Sequence, residues 1–157
     1  MRRYAVKTMV GSLDRASLYL AMALALLGVR EGVEFSRELG ADLEGCDRRI
    51  LKASILRVDY DPVTRSLLPR AIAEFYENTG FEAVEEPDSL VTMLTFIAQL
   101  ARQDSIESLK IQHRFLRVHL IPTLAHAVEK CQGLKPFLDI VIEDADYLKQ
   151  MLTTDSR

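Results

Sequence analysis

Apolar residues recur along this chain at three- and four-residue intervals almost throughout, and no stretch of strand length alternates apolar with polar side chains. The pattern predicts an all-α protein. A first helix is expected over 12–28, with Ser12 as a good N-cap, Gly28 near its end, and Leu13, Ala16, Leu20, Leu24 and Leu27 on one face. Its opposite face is apolar too, which places it deep in a bundle. A charged, glycine-bearing segment covers 30–45, with room for a short helix at 34–39. Asp47 is then placed to cap a helix reaching about Val58, and Asp61-Pro62 marks a turn.

The next long helix falls within 62–78, where Pro69 implies either a kink or a start nearer Leu68, and Gly80 is placed as its C-terminal cap. Pro87-Asp88 opens a helix running to about Arg102, and Asp104 with Glu107 has capping-box spacing for the helix after it. That helix carries Ile106, Leu109, Leu116 and Leu120 inward until it meets Pro122, which is expected to bend or break it ahead of a segment at 124–130. Gly133 and Pro136 punctuate the last join before a closing helix over 137–152. No internal repeat, low-complexity tract or interdomain linker interrupts the chain. Its 157 residues, 48% of them apolar, suffice for one good core, so 1–157 reads as a single-domain helical bundle.

Twenty basic and 23 acidic residues give a formal charge of -3, without the clustered basic surplus of a nucleic-acid footprint. At the amino terminus Arg2, Arg3 and Lys7 precede the apolar run 16–29 and imitate a secretory signal. Asp14 and Arg15 stand directly before the run, however, no small-x-small cleavage site follows it, and Arg30-Glu31 close it short of the ~20 residues that span a bilayer. A buried core helix is expected there, with no stable membrane insertion, and Arg2-Arg3 lacks the flanking pattern of a twin-arginine leader. Cys46 and Cys131 stand far apart, with no second Cys or His at metal spacing. They are expected to form neither a zinc knuckle nor a redox pair and to pack as small apolar side chains in a reducing cytoplasm.

Catalytic chemistry finds little to stand on. Helical di-iron centres use Glu-x-x-His, but Lys110, Leu116 and Thr123 precede His113, His119 and His126 at that spacing. His119 and His126 are seven apart with Pro122 between them, which is too few ligands in too poor a register for zinc. The scattered glycines form no phosphate cradle, and no Gly-x-Ser-x-Gly elbow is present. No enzyme activity, metal or cofactor is expected.

Binding features are more suggestive. In the acidic cluster, Asp88 reads as a helix cap, with Glu85 or Glu86 left free at the surface for an arginine of a peptide partner. His119 reads either as a core histidine satisfied by a neighbour or as one wall of a groove beside the carbonyl that Pro122 frees. Gln112, Phe115 and His119 share one helix side, so they line such a groove or pack against the helix that follows Asp88.

These residues also carry a resemblance. Glu86-Pro87-Asp88, Leu90 and Phe96, followed by Leu109, Gln112, Phe115, His119, Leu120 and Pro122, together with Arg15 and Tyr19, resemble the signature of the TorD/DmsD/NarJ family of all-helical chaperones. Ser89 stands where that family usually has histidine, Thr123 where it usually has an aromatic, and the chain has no tryptophan. The resemblance implies a cytoplasmic chaperone, not an enzyme. It would hold the catalytic subunit of a molybdopterin-containing reductase and bind its twin-arginine leader until cofactor insertion. Tyr76, Glu86, Asp88, Gln112, Phe115 and His119 would be the peptide contacts, with Pro87, Leu90, Leu120 and Pro122 shaping the motif. A helical adaptor without leader specificity, a small-molecule binder on the same bundle, and a homo-oligomer all remain open on the sequence.

Overall fold

The computed structural model of the chain describes residues 14–155, so the expected cap Ser12 and the apolar Leu13 lie outside the described residues. Helix α1 (Arg15–Leu27) is capped by Asp14, whose Oδ1 accepts the Ser17 amide at 2.7 Å. It ends at Gly28, which adopts the left-handed conformation (φ 77°) that a side chain disfavours. Helix α2 (Arg30–Glu38) starts earlier than the sequence suggests and meets α1 at a bend of 108°. Gly32 makes that junction possible: a Cβ there would overlap the Ala25 nitrogen and the Leu24 carbonyl carbon. Among the described residues no single helix is long and apolar enough to cross a membrane.

The stretch expected to form one helix from Asp47 to Val58 is broken instead. Asp47 caps only a 3-10 turn (Arg48–Ile50), and helix α3 is the short Ala53–Leu56. The reason is tertiary: Leu51 and Lys52 leave the helical conformation to pair with the segment before the central helix. The Leu90 amide bonds the Leu51 carbonyl, the Ala53 amide bonds the Asp88 carbonyl (both 2.9 Å), and Lys52 bridges Ser89. Asp61 does more than mark a turn, since it caps α4 (Pro62–Ser66) by accepting the Thr64 amide. Helix α5 (Leu68–Thr79) takes the second of the two alternatives for Pro69, placing it in the first turn, where its missing N–H leaves no bond unmade. Gly80 ends α5 at φ 76°.

Helix α6 (Leu90–Leu100) is the centre of the bundle, with Leu90, Met93, Leu94, Phe96 and Ile97 fully buried. It is capped by Ser89, whose hydroxyl accepts the Thr92 amide, and not by Asp88 as expected. Helix α1 packs chiefly on α6 and α2. It buries Leu18, Tyr19, Met22, Ala25 and Leu26 while leaving Leu20 and Leu27, 37% and 45% exposed, outside the face anticipated for them. A helix apolar all round offers periodicity no face to select, and packing selected this one.

Helix α7 (Ile106–Phe115) is capped by Ser105 in place of Asp104, and Ile106 is exposed, contrary to the inward placement expected of it. Of the bend or break expected at Pro122, the break does not occur. A π-helical turn (Leu116–Leu120) carries the chain into α8 (Ile121–Lys130), with Pro122 in the first turn of α8. Helix α9 (Lys135–Asp155) follows a 3-10 turn at Gln132–Leu134 and packs on α7 and α8. It is also tied to α1: Asp144 accepts two bonds from Arg15 (2.7 and 2.9 Å) and one from the buried Tyr19 hydroxyl (2.6 Å). Burial and the facing carboxylate push the Tyr19 hydroxyl pKa well up, so it remains a donor. Cys46 and Cys131, expected to stay apart, are joined by a disulfide, because folding brings the loop after α2 onto the turn after α8.

Candidate functional site

The acidic segment before α6 is held from three directions. The Tyr76 hydroxyl, on α5, donates to the Pro87 carbonyl at 2.6 Å. The Asp88 carboxylate, 1% exposed, accepts the Ser54 amide at 2.8 Å while its carbonyl takes that of Ala53, so Asp88 caps α3 across the fold, not α6 along the chain. Glu86 is at the surface but not free: its carboxylate pairs with the Lys52 ammonium at 2.6 Å. Proline at 87 suits this arrangement, since its carbonyl is used and it has no amide to satisfy.

The second motif lies inside the bundle. Gln112 is fully buried, and its amide nitrogen donates to the Leu100 carbonyl and the Ser108 hydroxyl, both at 2.9 Å, stitching the end of α6 to α7. Phe115 is equally buried, in edge or tilted contact with Phe75, Tyr76 and Phe96. His119, 5% exposed, packs against Phe75 and Phe115. Its burial, with Arg57 and Arg114 nearby, pulls its pKa down to about 4, so the imidazole is neutral at pH 7. The side that Gln112, Phe115 and His119 were expected to present to a peptide is filled by α5 and α6, which is the packing alternative. Of the six predicted contacts, Tyr76, Asp88, Gln112, Phe115 and His119 are buried and Glu86 is exposed.

The carbonyl that Pro122 deprives of its amide, that of Val118, is taken up by the Arg57 guanidinium at 3.2 Å. Arg57 is 4% exposed, pairs through two bonds with Asp59, and lies over the Tyr60 ring. His126 Nε2 sits 3.1 Å from Asp59 Oδ1, the oxygen that Arg57 Nε also bonds. Sequence reading missed this cluster: Arg57, Asp59 and Tyr60 are neighbours in the chain, but nothing local links them to a carbonyl on another helix. Among the described residues no group of His, Cys, Asp and Glu side chains could hold a metal.

Among the described residues, a cavity of about 130 Å³ opens beside the acidic segment. Leu26, Leu27, Leu51 and Val91 make it apolar, and Arg48 and Glu85 border it. Neither of these charges has an ion-pair partner among the described residues. The Arg48 guanidinium lies over Gly28, where a Cβ would come within 2.8 Å of it, and so covers the negative, carbonyl end of α1. Glu85 was legible as one of the acidic cluster. Arg48 was not, because its role depends on the break at Leu51–Lys52. No family model matches the chain.

Proposed function

We propose that this protein is a cytoplasmic molecular chaperone for assembly of a molybdopterin-containing oxidoreductase, holding the catalytic subunit and its twin-arginine signal peptide until cofactor insertion. The reading rests on the motif resemblance and on one structural observation. Beside the acidic segment of that motif, the Glu85 carboxylate, with no ion-pair partner among the described residues, borders an apolar cavity. A branched aliphatic side chain of the leader enters the cavity, and a leader arginine forms charge-assisted hydrogen bonds to Glu85. Glu86, engaged with Lys52, contributes to the negative potential and not as the principal contact. The buried motif residues hold the segment in shape. Calorimetric titration with a twin-arginine leader tests this directly. Glu85→Lys is expected to weaken binding about tenfold or more while leaving the melting temperature within a degree or so. Unchanged affinity in that variant removes the cavity rim from the site.

The adaptor reading draws on a different surface. Val58, Val63 and Leu67, around α4, are 62%, 74% and 60% exposed. If that face is the working one, Val63→Ser with Leu67→Ser abolishes partner capture and Glu85→Lys leaves it intact.

A further inference from the structure

The disulfide lies at a junction built for close approach. Cys46 and Cys131 are 85 positions apart with their Cα atoms 5.5 Å from each other. Alongside them the Asp42 amide donates to the Gly133 carbonyl at 3.1 Å, and a Cβ on Gly133 would overlap the Asp42 carbonyl. Away from that junction the loop is held by half-buried Leu43 and Ile50 and by short-range hydrogen bonds. Gly40 and Gly45 turn it in left-handed conformations with open space around them, and Asp42, Glu44 and Asp47 are exposed. Two residues beyond Cys46, Arg48 begins the 3-10 turn, and Arg48 and Leu51 border the apolar cavity. The cavity is thus bordered on one side by a segment anchored covalently to the far end of α8.

We propose that Cys46–Cys131 is a reversible thiol–disulfide site, opened by low-molecular-weight thiols and closed by the corresponding disulfides, which governs how firmly residues 40–51 hold that side of the cavity. Cys46 is half-buried whereas Cys131 is 7% exposed, so an incoming thiolate attacks the Cys46 sulfur. The protein S–S bond breaks, its electron pair leaves on the Cys131 sulfur, which takes up a proton, and a mixed disulfide remains on Cys46. A second thiol attacks that mixed disulfide, releasing the small-molecule disulfide and the Cys46 thiol. The protein gains two electrons and two protons, and two small thiols are oxidised to one disulfide. With the bond open, the loop keeps the Asp42–Gly133 hydrogen bond and its buried Leu39, Ala41 and Leu51, and local opening of 43–50 between them becomes easier. The inference does not depend on the chaperone reading.

The test equilibrates the full chain in glutathione buffers of graded reduced-to-oxidised ratio and quenches with a polyethylene-glycol maleimide. No label is expected at the oxidising end and two labels per chain at the reducing end. In parallel, tryptic cleavage after Arg48 and Arg49 is timed by mass spectrometry. It is expected to be about tenfold faster in the reduced protein, and equally fast in both buffers for the Cys46→Ser, Cys131→Ser double variant. Labelling of both cysteines at every ratio, labelling of neither at any ratio, or cleavage at the same rate in both buffers overturns the proposal.

Discussion

His119 sits where its charged form is least welcome, between Phe75 and Phe115 with Arg57 and Arg114 close by, and its pKa falls to about 4 from 6.5. On acidification the unfolded chain takes the proton first, so the stability that neutral His119 contributes is complete above pH 6.5 and is lost as pH falls toward 4. The loss amounts to up to about 3 kcal/mol. Urea unfolding of His119→Phe between pH 7 and 4 is expected to show a shallower decline than the parent chain, and parallel declines contradict this placement. The same paired histidine and carboxylate motifs show what a sequence hides at this scale. Asp88 reads as a cap and is one, but for α3 across the fold, because a carboxylate's partner need not be local. Gln112, Phe115 and His119 were legible as one helix side, but their spacing carried no sign of whether that side faces water or α5 and α6.

Helices were more legible than their ends. Gly28 and Gly80 stop α1 and α5 as their positions suggest, because a left-handed terminal residue is a local requirement that glycine meets. The break at Leu51–Lys52 and the continuity through Pro122 were not, since both are decided by partners distant in sequence. At Pro122 the partner is Arg57, whose guanidinium takes the Val118 carbonyl that the proline cannot. Arg57→Ala therefore leaves that carbonyl and Asp59 without their buried donor and is expected to cost about 2 kcal/mol. In a Pro122→Ala background the restored amide can turn back to Val118, and the same substitution is expected to cost about 1 kcal/mol less. Denaturant titrations of the four-member cycle give the coupling. Purely additive costs mean that the guanidinium does not substitute for the missing amide.

Over the whole molecule, the two ends of the described chain are fastened to each other through Asp144, which joins Arg15 and Tyr19 of α1 to α9. Asp144→Ala strands the buried Tyr19 hydroxyl and the mostly buried Arg15, and a loss of about 2–3 kcal/mol is expected, read as a fall in melting temperature of roughly 5–10 °C. A fall within a degree or so contradicts the fastening. Composition and periodicity made the all-α bundle legible because they sum over many residues. The disulfide and the cavity were not legible, because each joins segments that only the finished packing brings together. If the proposed function holds, this bundle reads a leader peptide through charge beside an apolar cavity. Calorimetric titration with a twin-arginine leader, beside the same peptide with both arginines changed to lysine, tests it most directly. Binding of the first is expected, with a loss of about tenfold or more for the second, since lysine cannot make the bidentate hydrogen bonds of arginine. Equal affinity for the two peptides, or no binding of either, contradicts it.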